Sequence, residues 1–236
     1  MATTYYVAWW NLENVFDEEN SPRRTEKVAR VIQNDIAGWT PQLRDRKIAQ
    51  LASVIVHMND DAGPDLLGVC EVENQFVLEL LAGAVRERLP GRQYAIVHAD
   101  TSDARGIDVA FLYDPTLLRV PNDQVFFHVV MRRNATREIV QVNFRTQRNR
   151  TWTVFGNHWP SRSGGASESS GYRHIAGETL AFFHQRALEE QGADPFQGAS
   201  ELVVRGWWGC LVSSTVSVGS ARGGRDGLVS GGAGAA

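Results

Sequence analysis

Apolar runs of strand length alternate with stripes at helical spacing through most of this chain, and three of the runs stop abruptly in amides, carboxylates or an imidazole. In DLLGVCEVEN, Asp65 to Asn74, residues Leu66, Leu67, Val69 and Val72 suit a strand buried on both faces. A period of two puts Glu71 and Glu73 on one side, and Asn74 opens the next helix. TTYYVAWWNLEN ends the same way at Asn11 and Glu13, and TWTVFGNHWPS at Asn157 and His158. One acidic pair after a strand reads as a solvated turn, but recurrence at three strand ends points to a shared mouth that carries chemistry.

Between these runs the pattern is helical. A helix is expected over Arg23 to Ile36. Thr40-Pro41 reads as a cap followed by proline at the first helical position, with Leu43, Ile48, Leu51, Ala52, Ile55 and Val56 as the apolar stripe of a long helix. The helix from Asn74 to about Leu89 shows Phe76, Leu80, Leu81 and Val85 on one face. The next part is mostly β: residues 93–99, 108–113, 117–130, 137–145 and 151–157 read as strands, with turns at Asp114-Pro115, Pro121-Asn122 and Arg133-Asn134. Their adjacency predicts antiparallel pairing. The Ser/Gly stretch 161–171 reads as a mobile loop and 172–191 as a helix.

Beyond Gln191 the periodicity fades. Glu201 to Val204 has strand character, but residues 193–236 are otherwise rich in Gly, Ser, Ala and Val and lack the pattern of a core. The chain uses arginine almost to the exclusion of lysine, as GC-rich codons would, and GC-rich DNA read out of frame gives this kind of tail. Two units are therefore expected: a domain over 1–192, and a low-complexity segment over 193–236 that is disordered or out of frame. A natural flexible tail is the alternative.

At 236 residues, 43% hydrophobic and 22% charged, the composition is that of an ordinary globular domain. A net charge of -3 and pI near 6.1 argue against binding nucleic acid by bulk charge. A local excess does exist at Arg132, Arg133, Arg137, Arg145, Arg148, Arg150, Arg162 and Arg173. It reads equally as a phosphate-binding surface or as the solvent face of a hairpin. Cys70 and Cys210 form no zinc or disulfide framework, and the start of the chain shows neither signal peptide nor membrane span. A cytoplasmic setting is expected.

The strand-end residues suit metal-assisted phosphate chemistry. Asn11 and Glu71 offer hard oxygen ligands for Mg²⁺ or Mn²⁺, and His158 offers a proton carrier or a donor to a phosphoryl oxygen. Taken together, WNLENVFD (10–17), LGVCEVEN (67–74), RGIDVAFLYDP (105–115) and GNHWPSR (156–162) resemble the successive motifs of the endonuclease/exonuclease/phosphatase superfamily, over roughly residues 4 to 192. The resemblance implies a four-layer α/β sandwich of the deoxyribonuclease I-like type, with its second sheet incomplete here. It implies Asn11 and Glu71 as metal ligands and Asn157 and His158 as the catalytic motif at the phosphate. It also implies Asp108 beside the substrate, although a hairpin hydrogen bond explains that acid equally well. The substrate implied is a phosphodiester or phosphomonoester, with nucleic acid among the options. The family's later GDFN-like and SDH-like motifs, which supply the groups around the attacking water, have no counterpart in this sequence. The alternative reading is thus a catalytically incomplete chain that binds phosphate or nucleic acid.

Overall fold

The computed structural model describes residues 5–102, 105–131, 138–159, 166–190, 200–205 and 211–216. Among them, strands β1 (Val7–Val15), β2 (Leu66–Val72), β3 (Ala95–Val97) and β4 (Asp108–Tyr113) form one sheet in the order β1-β2-β4-β3. β1 and β2 run parallel, and their crossover carries helices α1 (Glu26–Ile36), α2 (Pro41–Ile55) and the single turn α3 (Met58–Asp61). Helix α4 (Gln75–Arg88) follows β2. The second sheet contains β5 (Leu118–Arg119), β6 (Val125–His128), β7 (Ile139–Thr146), β8 (Thr151–Gly156), β9 (Ser200–Arg205) and β10 (Leu211–Val216), all paired antiparallel. Its order is β5-β7-β8-β10-β9, with β6 also on β7. Helix α5 (Ala166–Glu190) completes the list of elements.

The alternation of β4 sorts these elements into four layers. Val109 and Phe111 enter a core between the sheets with Leu66, Cys70, Val142, Phe144, Trp152 and Val154. Ala110 and Leu112 point the other way, into a core shared with Ile48, Leu51 and Ile55 of α2 and Leu78, Leu81 and Val85 of α4. On the far side of the second sheet, Ile139 and Phe155 meet Ala176, Leu180 and Ala187 of α5. The result is the helix–sheet–sheet–helix sandwich expected from the motifs.

Several expectations change in detail. The strand expected over 117–130 is two short strands, because the turn at Pro121 breaks the ladder. Helix α5 begins at Ala166, so 166–171 is helical rather than loop; once a helix is nucleated, each added residue brings one hydrogen bond, which outweighs the weak propensity of Ser and Gly. Residues 161–165 lie outside the described residues. On α2, Leu43 is 40% exposed while Arg44 is buried in the place the apolar stripe assigned to its neighbour. The backbone of β10 extends the second sheet beyond β8, and β9 pairs with β10.

Charge holds Arg44 there. The fully buried Asp17 carboxylate accepts from Arg44 Nη1 at 2.9 Å through Oδ1, and from Ser21 Oγ at 2.6 Å and Arg23 Nε at 2.7 Å through Oδ2. Beside it, Glu73 receives a two-pronged contact from Arg24, Nε to Oε1 at 2.6 Å and Nη2 to Oε2 at 2.7 Å, and also accepts the Asp17 N–H at 2.7 Å. The remaining Arg24 N–H groups donate to the Asp17, Glu18 and Glu19 carbonyls. Asn74 caps α4 through Val77 N and donates to Asp17 Oδ2 at 3.4 Å. The exits of β1 and β2 are thereby tied to each other.

A Cβ on Gly156 would lie 2.6 Å from Val109 Cγ1 and 2.7 Å from Phe111 Cζ, whereas one on Gly83, within α4, would meet nothing within 4 Å. Gly156→Ala should therefore cost about 1–3 kcal/mol, and Gly83→Ala should gain up to about 1 kcal/mol. Thermal melts check both signs. Burial pushes the Asp17 carboxyl up, but bonds from Arg23 and its neighbours outweigh burial and hold it well below the usual carboxylate range. A depressed folded-state value gives stability that is present above the unfolded value of about 3.9 and lost as pH falls below it. Asp17→Asn should lose about 3–5 kcal/mol at pH 7, because it removes the fully buried carboxylate charge that faces the buried Arg44 and the more exposed Arg23. In urea titrations it should also show a smaller further loss between about pH 5 and pH 3 than the parent chain.

Candidate active site

The pairing of β1 with β2 is regular as far as Asn11 opposite Cys70 and resumes at Val15 opposite Val72, so three residues of β1 face one of β2. Glu13 and Asn14 on one side of this bulge, and Glu71 on the other, take left-handed backbone conformations with φ of 56°, 61° and 65°. Each costs a non-glycine residue about 1–3 kcal/mol and persists only where the surroundings over-determine it. The bulge breaks the period of two, so Glu71 and Glu73 do not share a side as the alternation predicts. Glu73 turns inward to Arg24, while Glu71 turns to the mouth of the sandwich.

There it meets the other sheet. His158, two residues past the end of β8, places Nε2 3.1 Å from Glu71 Oε1, with the two side chains 6% and 16% exposed. Asn157 is buried and donates from Nδ2 to the Phe155 carbonyl at 3.2 Å, which fixes the backbone that presents the imidazole. Asn11 sits on the strand beside Glu71, and its Oδ1 accepts the Glu13 N–H at 2.8 Å. The structure thus brings Asn11, Glu71, Asn157 and His158 to one end of the two sheets. Asp108 pairs opposite Val72 at the same end, but its buried carboxylate is turned to the β3–β4 connection. Its Oδ1 accepts from Thr101 N at 3.0 Å and from the Thr101 hydroxyl, the hairpin arrangement weighed above.

Sequence reasoning missed two residues here. Lys47 of α2 donates from Nζ to the Glu13 carbonyl and, at 3.3 Å, to the Asn14 carbonyl, holding the bulge from behind. Burial pushes its ammonium pKa down, opposed by the charges of Glu13 and Glu71. Lys47 is one of only two lysines in an arginine-dominated chain, the one signal that marked the position. Asn14 was the other: its Oδ1 is buried without a hydrogen bond among the described residues. With the amide oxygen of Asn11 and the carboxylate of Glu71, this leaves hard oxygen donors around the bulge, a set that fits a small divalent cation.

Four of the other histidines make local contacts. His57 pairs with Asp61 on the surface, His174 contacts the Ser170 carbonyl, His184 sits at the edge of Phe155, and His128 bonds Gln141 and stacks on Phe183. Of the arginine cluster, Arg173 lies over the Trp159 ring beside His158, at 5.2 Å. Arg132, Arg133, Arg137 and Arg162 lie outside the described residues. No helix among the described residues is long and apolar enough to cross a membrane.

Among solved structures, an endonuclease/exonuclease/phosphatase family protein from Bacteroides thetaiotaomicron is similar at 17% identity and a TM-score of 0.45, covering 80% of this chain and 57% of that one. A mannosyl-6-phosphatase from Bacteroides thetaiotaomicron VPI-5482 is similar at 16% identity and a TM-score of 0.44, covering 82% of this chain and 62% of that one. The chain therefore spans about six-tenths of the length of each. Among curated proteins, none matches this chain in sequence. The family model described as Endonuclease/Exonuclease/phosphatase family matches residues 6–193, which include every strand-end residue described above. The chain belongs to the endonuclease/exonuclease/phosphatase family.

Proposed function

We propose that this chain is a phosphoester hydrolase whose divalent metal, Mg²⁺ or Mn²⁺, is held by Asn11 and Glu71, with His158 contacting the scissile phosphate. The observation that carries the reading is the 3.1 Å approach of His158 to Glu71 across the mouth of the sandwich, which sets an imidazole donor beside a ligand-type carboxylate. A bound divalent ion supplies Lewis-acid polarisation of a phosphoryl oxygen and charge neutralisation at the departing alkoxide. The residues do the rest. Glu71 and Asn11 fix the ion's position, because the bulge that bears them is braced by Lys47. His158, presented by the pinned Asn157 backbone, donates to the phosphoryl oxygen and orients the ester. Arg173, whose guanidinium lies over the ring of Trp159, the neighbour of His158 in sequence, would neutralise a second phosphoryl charge. The substrate class is a phosphodiester or phosphomonoester. A nucleic-acid backbone is one such ester, which the arginines of the β7–β8 edge suit.

A second reading rests on the sequence beyond residue 192, where no GDFN-like or SDH-like motif supplies a base for water. On that reading 193–236 is an out-of-frame continuation, and the chain binds metal and phosphate without turnover.

Hydrolysis of bis(p-nitrophenyl) phosphate with and without Mg²⁺, together with Mn²⁺ binding followed by electron paramagnetic resonance, separates the two. The first reading predicts Mg²⁺-dependent release of nitrophenol; the second predicts Mn²⁺ binding alone. Glu71→Gln should weaken Mn²⁺ binding about 10–100-fold on either reading and change the melting temperature little. Where turnover is present, His158→Ala should lower kcat about 100-fold and KM far less. Undiminished Mn²⁺ binding in Glu71→Gln would remove Glu71 from the site.

A further inference from the structure

We infer that the β3–β4 hairpin carries a second metal site, formed by His98, Asp100 and Asp108 and suited to Zn²⁺, distinct from the Asn11/Glu71 position. One ligand atom from each of the three lies within 4.8 Å of the other two. His98 directly follows β3 and Asp108 opens β4, so the register of a single antiparallel pair sets their separation and no distant loop must close.

The state of the two buried members points to a cation. The His98 side chain is 4% exposed, and its Nε2 makes no hydrogen bond among the described residues. A buried ring nitrogen without one is unusual, since buried polar atoms nearly always find partners. Asp108 Oδ2 lies 3.4 Å from that nitrogen but not along a hydrogen-bonding direction. The other oxygen, Oδ1, is held by the Thr101 N–H and hydroxyl, which fixes the carboxylate plane and leaves Oδ2 facing the imidazole. This is the arrangement in which outer hydrogen bonds orient a ligating carboxylate.

Asp100 supplies the third group from the exposed side. Asp100 and Asp108 both line a cavity of about 220 Å³, together with Arg23, Lys27 and Gly106, which leaves room for a water beside the ion. One imidazole nitrogen and two carboxylate oxygens are ligand types that zinc accepts, and three protein ligands leave the fourth position to water. Mg²⁺ would favour an all-oxygen shell instead. Bound there, the ion would clamp the two arms of the hairpin that also supplies Asp108 next to β2.

The test is isothermal titration of Zn²⁺ into the untagged, chelator-stripped full chain and into His98→Asn, Asp100→Asn and Glu71→Gln. Asp100 is exposed, so its substitution leaves folding intact, and circular dichroism checks this for every variant. We expect one tight Zn²⁺ per chain that weakens at least about tenfold in Asp100→Asn and in His98→Asn and persists in Glu71→Gln. Zn²⁺ affinity unchanged in Asp100→Asn would overturn the site and leave a plain His98–Asp108 ion pair. Loss in Glu71→Gln alone would assign the ion to the Asn11/Glu71 position, and no tight Zn²⁺ in the parent chain would refute the inference outright.

Discussion

The buried fork between Arg24 and Glu73, with the Asp17 cluster beside it, is the constraint on which the rest of this molecule depends. A guanidinium 2% exposed facing a carboxylate 3% exposed is favourable only when every donor and acceptor is used, and here they are. Arg24 spans from the end of β2 to three successive carbonyls of the segment after β1. The two strands therefore cannot slide against each other without breaking the whole set. That rigidity makes the neighbouring bulge tenable: three left-handed non-glycine residues cost several kcal/mol together, on the order of a quarter or more of a typical domain's net stability.

The bulge in turn decides which acid does what. Without it, Glu71 and Glu73 would lie on one face of β2, and both would be solvated or both buried. The left-handed turn at Glu71 divides them into a carboxylate committed to architecture and a carboxylate at the sandwich mouth. The second sheet then matters through a single contact. His158 reaches Glu71 only because β8 packs face to face with the first sheet, with Gly156 letting Val109 and Phe111 approach closely at the strand end. Site and fold share one requirement, close packing of the two sheets at that end.

Much of this was legible in the chain. The apolar runs and helical stripes predicted strands flanked by helices, and the four layers were implied by the motif resemblance. The residues at the mouth, Asn11, Glu71, Asn157 and His158, were marked by apolar runs that stop in polar chemistry. What the pattern could not convey was local backbone geometry. A period of two assumes regular extended dihedrals, so it misplaces Glu73 relative to Glu71 as soon as one residue turns left-handed. Nor does a hydrophobic stripe foresee Arg44 displacing Leu43, because the reason lies in Asp17, 27 residues away in sequence. Lys47 and Asn14 escaped for a related reason, since their roles are set by the carbonyls and the amide of the bulge rather than by side-chain polarity along an element.

The central claim is that the bulge between β1 and β2 holds the divalent ion, with Asn11 and Glu71 as its protein ligands. Anomalous diffraction from crystals grown in Mn²⁺ tests it most directly, because the peak reports the position of the ion without reference to activity. The account predicts a peak about 2.0–2.3 Å from Asn11 Oδ1 and from a Glu71 carboxylate oxygen, with His158 displaced from Glu71 toward the substrate side. A map with no peak there, and Mn²⁺ only at surface carboxylates, would contradict it.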